Sequence, residues 1–304
     1  MPNPLLTGQS HPFKAFLLFL LLLLICGLLF NLMGALMAIP LFGMSFSELF
    51  TASATAATPE NAAFIKYYQI VNHLGMFTVP SVLYIRVFMR PGDVEMLGFK
   101  RLKFFPLLAS VLILFAALPF TNRLILWNAS MHLPDFLGQV EEMMRKLEDS
   151  AAGMTTLFFQ DTRVKGLLVN MFMIALVPAV GEELVFRGVL FRIFHKWIRN
   201  VHGVVVVTAL LFSFMHMQFY GFIPRLFLGI LFGYLFVFTR SIWVPMFVHF
   251  INNGTAVISA WYGQREGIPW EEIDSGGSEP AVAVMLSIIF VFVLLGLLRK
   301  MEQV

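Results

Sequence analysis

Glu182, Glu183 and Arg187 stand in the run Val180-Gly181-Glu182-Glu183-Leu184-Val185-Phe186-Arg187-Gly188, and the apolar character resumes at Val189-Leu190-Phe191. On a helix, at about 100° per residue, the two glutamates point in different directions, while Glu183 and Arg187, four apart, share a face. The natural division pairs Glu183 with Arg187 and leaves Glu182 to face something else. A carboxylate held in low-dielectric surroundings suits general acid/base work near neutral pH. Two histidines can join it. His216 closes the stretch Phe212-Ser-Phe-Met-His216, and His249 opens His249-Phe-Ile-Asn-Asn253, with His249 and Asn253 four apart on one helical face. Glutamate with histidine activates water, and histidine with asparagine can donate to an oxyanion.

These residues need a setting that positions them, and the composition supplies it. Of 304 residues, 59% are hydrophobic and 13% charged, and the mean hydropathy is +0.81. A soluble chain carries about 25% charge and 45–50% apolar residues, so this is a polytopic membrane protein. The net charge is only +3, with the basic residues in short loops, which argues against a nucleic-acid partner. The single cysteine, Cys26, lies in the first apolar run and excludes an internal disulfide, a cysteine-rich metal site and a redox pair. That run is too long for a signal-peptide core and has no small-residue cleavage site, so it is read as retained.

A helix needs about 20 apolar residues to cross the hydrocarbon. Eight stretches qualify: 15–40, 66–88, 104–121, 166–188, 203–219, 221–239, 242–262 and 280–298. They are too long and unbroken for barrel strands, so the expected fold is all-α. The connection between the second and third spans holds Arg86, Arg90, Lys100, Arg101 and Lys103; that between the fourth and fifth holds Arg192, Lys196 and Arg199; Arg240 and Arg299-Lys300 continue the pattern. The first loop instead carries Glu48 and Glu60, and the seventh sets Arg265 against Glu266, Glu271, Glu272 and Asp274. Lys and Arg mark cytoplasmic loops, so both termini are expected in the cytoplasm. The loop at 122–165 is the one long connection. Within it Phe136, Leu137, Val140, Met143, Met144 and Leu147 recur at steps of three and four, which predicts an amphipathic helix at the interface or over the bundle.

Ionisable residues near the bilayer centre cost about 2.5–3.5 kcal/mol even on a lenient scale. If the helix bearing Glu182 runs on to Trp197 or Arg199, Glu182 lies about 25 Å from its end and inside the membrane. Taken singly, an intramembrane histidine is more often a hydrogen-bonded packing residue than a catalyst. Three helices supplying Glu182, His216 and His249 with Asn253 weaken that reading. Asn72 and His73 in the second span read more readily as packing residues, although they could line the same cavity. Asn170 and Arg225 suit interhelical hydrogen bonds, and His11, His132, His195 and His202 fall in loops or at ends.

Several intramembrane protease signatures are missing. No His-Glu-x-x-His occurs, no Gly-x-Gly-Asp occurs, and the Ser275-Gly-Gly-Ser278 stretch sits in a loop. What remains resembles the CAAX protease and bacteriocin-processing (CPBP, or Abi) family of intramembrane endopeptidases. The family's Glu-Glu-x-x-x-Arg matches Glu182, Glu183 and Arg187, its Phe-x-x-x-His matches Phe212 and His216, and its His-x-x-x-Asn matches His249 and Asn253. The motifs follow one another in the family's order, evenly spread between Glu182 and Asn253.

The resemblance implies an eight-helix fold with a conical polar cavity that cleaves a peptide bond near the membrane face. It divides the chain into one integral membrane domain, 1–304, with a catalytic core at 160–262 and an extramembrane loop at 122–165. By the family's pattern Glu182 and His216 activate the water, His249 and Asn253 hold the oxyanion, and Glu183 and Arg187 support them. Zn2+ stays open: Glu182, His216 and His249 could be three ligands with a free fourth position, and a metal-free glutamate mechanism uses the same side chains. The expected substrate is a membrane protein or peptide in a bacterial inner membrane. Rival readings are a non-catalytic scaffold or bacteriocin self-immunity protein and, last, a transporter with a proton relay; the halves show no matching pair of broken helices.

Overall fold

The computed structural model describes residues 11–45, 58–99, 102–268 and 279–301. Glu48, Lys100, Arg101, Glu271, Glu272, Asp274 and the Ser275–Ser278 stretch lie outside these residues. Among the described residues there are helices and connecting turns and no strand. All eight apolar stretches fold as helices: α1 (Pro12–Phe42), α2 (Ala62–Val87), α3 (Phe104–Ala129), α5 (Val164–Ile198), α6 (Val201–Met215), α7 (Phe222–Thr239), α8 (Trp243–Glu266) and α9 (Ala281–Met301), with the amphipathic α4 (Gly138–Phe159) between α3 and α5. Six of these regions, α1, α2, α3, α5, α9 and α7 with its preceding turn, are long and apolar enough to cross a membrane. The 15-residue α6 falls short in length. In α8, His249, Asn252, Asn253 and Gln264 dilute the apolar character.

Local chemistry sets the ends and bends. α1 begins at Pro12, where the missing N–H is no loss, with His11 accepting from the Phe13 amide at 3.3 Å. It ends at Gly43, whose φ of 66° is the left-handed cap that glycine takes without penalty. In α3, Pro119 cannot donate to the preceding turn. One residue along, Ser287 of α9 enters the same turn, donating to the Ala116 carbonyl at 2.6 Å and accepting from the Phe120 amide at 3.3 Å. α2 and α5 carry π-helical turns, Leu74–Thr78 in α2 and Met171–Leu176 and Leu184–Leu190 in α5. The first π turn of each runs into a segment with proline in its opening positions, Pro80 and Pro178. A π turn inserts an extra residue and re-aims the side chains beyond it.

Of the element ends that differ from the sequence reading, two have a cause in particular side chains or backbone angles. α3 continues to Ala129, because the polar side chains beyond 121 find partners: Asn122 donates to Glu279, and Asn128 donates to the Phe219 carbonyl and accepts from the Ile223 amide. α6 ends at Met215 and not at 219, since Met217 takes φ 52°, outside the helical region. In α4, most of the expected apolar stripe is outward. Phe136, Val140, Met143 and Leu147 are exposed, and the helix buries only Leu157, Phe158 and Phe159 at its end. Asn170 secures that end by donating to the Phe158 carbonyl at 2.8 Å.

Three basic loops meet at one end of the bundle. The Ile242 amide donates to the Leu97 carbonyl, Trp243 Nε1 donates to the Phe99 carbonyl, and Lys196 pairs with Asp93 at 3.1 Å. Gly98 is required here, because its φ is 68° and a Cβ would lie 1.8 Å from the Arg240 carbonyl oxygen. Leu and Phe side chains stand exposed along α1, α3 and α9, a surface suited to acyl chains, and the chain is an integral membrane protein. The two largest apolar clusters pack the interior. One joins α1, α2, α5 and α6 through Phe19, Tyr84, Val185 and Phe212; the other joins α3, α7, α8 and α9 through Ile113, Phe232, Val248 and Val291.

Candidate active site

The polar residues gather between these clusters, where α5 and α8 cross. Glu182 and Glu183 end the α-helical segment Val177–Glu183, and Arg187 lies in the π turn that follows. Glu182 stands well inside α5, far from its end at Ile198; His216 caps α6 at the end away from Val201; and His249 comes soon after the start of α8 at Trp243. With the helical rise the same along each element, the α5–α6 connection therefore reaches farther from the site than the start of α8 does.

Glu183 and Arg187 pair as their spacing predicts. Arg187 Nη1 donates to Glu183 Oε1 at 2.8 Å, and both side chains are fully buried. Nη2 donates to the Gly229 carbonyl of α7 at 2.6 Å, and the guanidinium lies against the rings of Phe212 and Phe232. Glu183 Oε1 also lies 3.0 Å from His249 Nδ1. A buried carboxylate on Nδ1 takes that nitrogen's proton as a donated hydrogen bond, which fixes the ring and turns Nε2 toward Glu182. The distance from His249 Nε2 to Glu182 Oε2 is 3.9 Å.

Glu182 is 8% exposed, and its two oxygens have different surroundings. Oε1 is 3.5 Å from Nε2 of His73 on α2, whereas Oε2 is buried with no hydrogen-bond partner among the described residues. His216 is half-buried, and its Nδ1 donates to the Phe212 carbonyl at 2.8 Å. Its Nε2 is thus left with the lone pair of the neutral ring. Phe212 separates the two histidines, with ring centroids 5.0 Å from His216 and 5.9 Å from His249.

Asn253 shares the α8 face with His249 but makes no hydrogen bond to Glu182, His216 or His249 among the described residues. Its Nδ2 donates to the Ile174 carbonyl at 3.3 Å, and its Oδ1 accepts from Asn252. Asn72, set beside His73 by the sequence, points to α1 and accepts from Asn31 at 3.0 Å. Arg225 donates to the Gln218 carbonyl and to the Gln218 side-chain oxygen.

His73, which the sequence suggests first as a packing residue, stands 3.5 Å from Glu182. Its approach depends on Gly181, the residue before Glu182, where a Cβ would come within 2.8 Å of His73 Cε1. That glycine was the available signal, although nothing in the sequence pairs it with the second span.

Among the described residues, no three His, Cys, Asp or Glu side chains are grouped so as to hold a metal ion. Glu182, His216 and His249 as placed do not form a three-ligand set; with Nδ1 of both histidines engaged, Nε2 is the nitrogen each could offer an ion. The arrangement instead offers a buried carboxylate oxygen without a partner, one imidazole that can accept a proton, and one held between two carboxylates.

Residues 164–255, which run from α5 into α8, match the family model described as type II CAAX prenyl endopeptidase Rce1-like. The membrane-embedded CAAX protease MroQ of Staphylococcus aureus (strain USA300) is 34% identical over 96 residues, covering 30% of this chain. The matched part spans 38% of that relative's length. No solved structure gives a significant match.

Proposed function

We propose that the chain is an intramembrane endopeptidase of the CAAX protease and bacteriocin-processing type, using Glu182, His216 and His249 on a membrane protein or peptide; the match of residues 164–255 supports this reading. The observation that carries this reading is the division of Glu182: one oxygen faces His73, and the other is buried, free of a hydrogen-bond partner and 3.9 Å from His249 Nε2.

A water at the free oxygen gives its proton to Glu182 Oε2 as its oxygen attacks the scissile carbonyl carbon. His216, through Nε2, shares this task. Negative charge then develops on the carbonyl oxygen. His249 already donates from Nδ1 to Glu183; protonated also at Nε2, it donates there to the oxyanion. Asn253 joins it by exchanging the Ile174 carbonyl for the oxyanion. Collapse breaks the C–N bond, the proton held by Glu182 passes to the leaving nitrogen, and the products are a carboxylic acid and an amine. Arg187 holds Glu183, and Glu183 holds the ring of His249, so this pair acts through position. No step needs a metal.

We place the protein in a bacterial inner membrane with the basic end of the bundle and both termini in the cytoplasm, following the Lys and Arg distribution. The test is proteomic: membranes lacking the protein are complemented with wild type or Glu182→Gln at matched expression. A membrane peptide shortened only by wild type supports the enzyme and names its substrate. Identical peptides with equal rescue of phenotype by both forms would point to the scaffold.

A further inference from the structure

Nothing in the three motifs, nor in the matched segment 164–255, involves α2, yet α2 brings an imidazole to the reactive carboxylate. We infer that His73 is a positioning residue that holds Glu182 Oε1 and so keeps Oε2 directed at the water. This rests on the proposed role of Glu182.

The geometry around His73 is specific. Its Nε2 is 3.5 Å from Glu182 Oε1, within the reach of a contact that tightens when substrate binds. Its Nδ1 is buried and has no partner among the described residues, so Nε2–H toward the carboxylate is the tautomer that satisfies the pair. The ring lies on Phe77, with centroids 4.4 Å apart and planes 15° from parallel, which fixes its plane. The π turn Leu74–Thr78 starts directly after it. Gly181 removes the side chain that would block the approach: a Cβ there would sit 2.8 Å from His73 Cε1 and 3.0 Å from Phe77 Cβ.

α2 is in turn fastened to α1. Asn31 donates to Asn72 at 3.0 Å and to the Gly27 carbonyl at 2.9 Å, and Tyr68 donates to Asn31 at 2.6 Å. Gly75 packs on Phe30 so closely that a Cβ would meet it at 2.2 Å. A ring present only for packing would need none of its polar edge turned to a carboxylate. Phenylalanine fills the same space and keeps the stack on Phe77, while glutamine keeps a donor near the Nε2 position.

The test uses the full chain in membranes, with formation of the new peptide terminus read at matched expression. Wild type, Glu182→Gln, His73→Phe, His73→Gln, Gly181→Ala and the His73→Phe/Gly181→Ala double variant are compared. His73→Phe is expected to slow cleavage by about tenfold to a hundredfold, the range for loss of a hydrogen bond to a charged group. His73→Gln should recover most of that rate. Gly181→Ala should slow cleavage similarly, and the double variant should be little worse than either single change, because both act on one contact. Full-rate cleavage by His73→Phe beside an inactive Glu182→Gln overturns the inference and leaves the proposed function standing. Equal loss in His73→Phe and His73→Gln at wild-type protein level overturns the donor role. Cleavage that survives Glu182→Gln overturns the proposed function itself.

Discussion

Glu183 Oε1 accepts from Arg187 Nη1 at 2.8 Å and lies 3.0 Å from His249 Nδ1, so one carboxylate oxygen ties a guanidinium on its own helix to an imidazole on α8. The second oxygen of Glu183 has no partner among the described residues. The pair is therefore less a free-standing salt bridge than a mount for the histidine ring.

Arg187→Met should destabilise the fold by about 3–5 kcal/mol, because it leaves the Glu183 carboxylate buried without its cation. Adding Glu183→Gln should recover part of that loss. Thermal unfolding of the purified chain in one detergent, compared across wild type, Arg187→Met and the Arg187→Met/Glu183→Gln double variant, gives the answer. Equal melting temperatures for wild type and Arg187→Met would mean that water or lipid headgroups reach the pair.

His216 and His249 should fail in different ways. His216→Ala removes a proton acceptor and should lower kcat by about 10²–10⁴. His249→Ala removes an oxyanion donor, worth about 10²–10³ in kcat, and also strips Glu183 of a partner, so it should lower the melting temperature as well. Among the described residues the His216 ring hydrogen-bonds only the carbonyl of its own helix turn, and its removal should leave stability nearly unchanged. Cleavage rates and melting curves on the same preparations separate the two; matching stability losses would contradict the assigned roles.

Much of this was legible in the sequence, because length and spacing are local. Uninterrupted apolar runs gave the helices, and the i, i+4 step gave Glu183–Arg187. The site was less legible where tertiary contact decides. No residue pattern announced the π turns in α2 and α5. The stop of α6 at Met215 comes from the left-handed Met217, in a run whose composition favours continuing. Asn253 lies on the expected face, yet it spends its amide on the Ile174 carbonyl. His73 is 109 positions from Glu182, and only the packing of α2 on α5 brings them together. The apolar stripe of α4 was read correctly as a pattern, but the bundle does not cover it.

Away from the helices long and apolar enough to cross a membrane, Glu141 orders the start of α4. Hydrogen bonds from Arg145, first, and then from the Leu133 amide and His132 lower its carboxyl from 4.5 to about 2. The folded state thus holds the carboxylate more strongly than the unfolded chain does. Its contribution is complete above about pH 4.5 and is lost as the pH falls toward about 2. Hydrogen exchange at Leu133 should stay protected at neutral pH and open in that acid window. Glu141→Gln should open it at neutral pH without changing cleavage, since none of the site residues touches it. Unchanged protection in the variant would show that the turn at 130–137 stands without the carboxylate.

Cleavage should survive metal removal. A catalytic zinc takes three protein ligands about 2.0–2.2 Å from the ion; with Nδ1 of His249 and His216 on Glu183 and the Phe212 carbonyl, each ring could offer it only Nε2. Glu182 and His249 face each other across 3.9 Å, but no third His, Cys, Asp or Glu among the described residues completes a ligand set with them. The purified chain should therefore cleave its membrane peptide at an unchanged rate after treatment with EDTA or phenanthroline, and elemental analysis should find well under one zinc per chain. Loss of activity that Zn2+ restores, with one zinc bound, would require Glu182 and His249 to close on an ion together with His216, and the water-activating role given to Glu182 would pass to the metal.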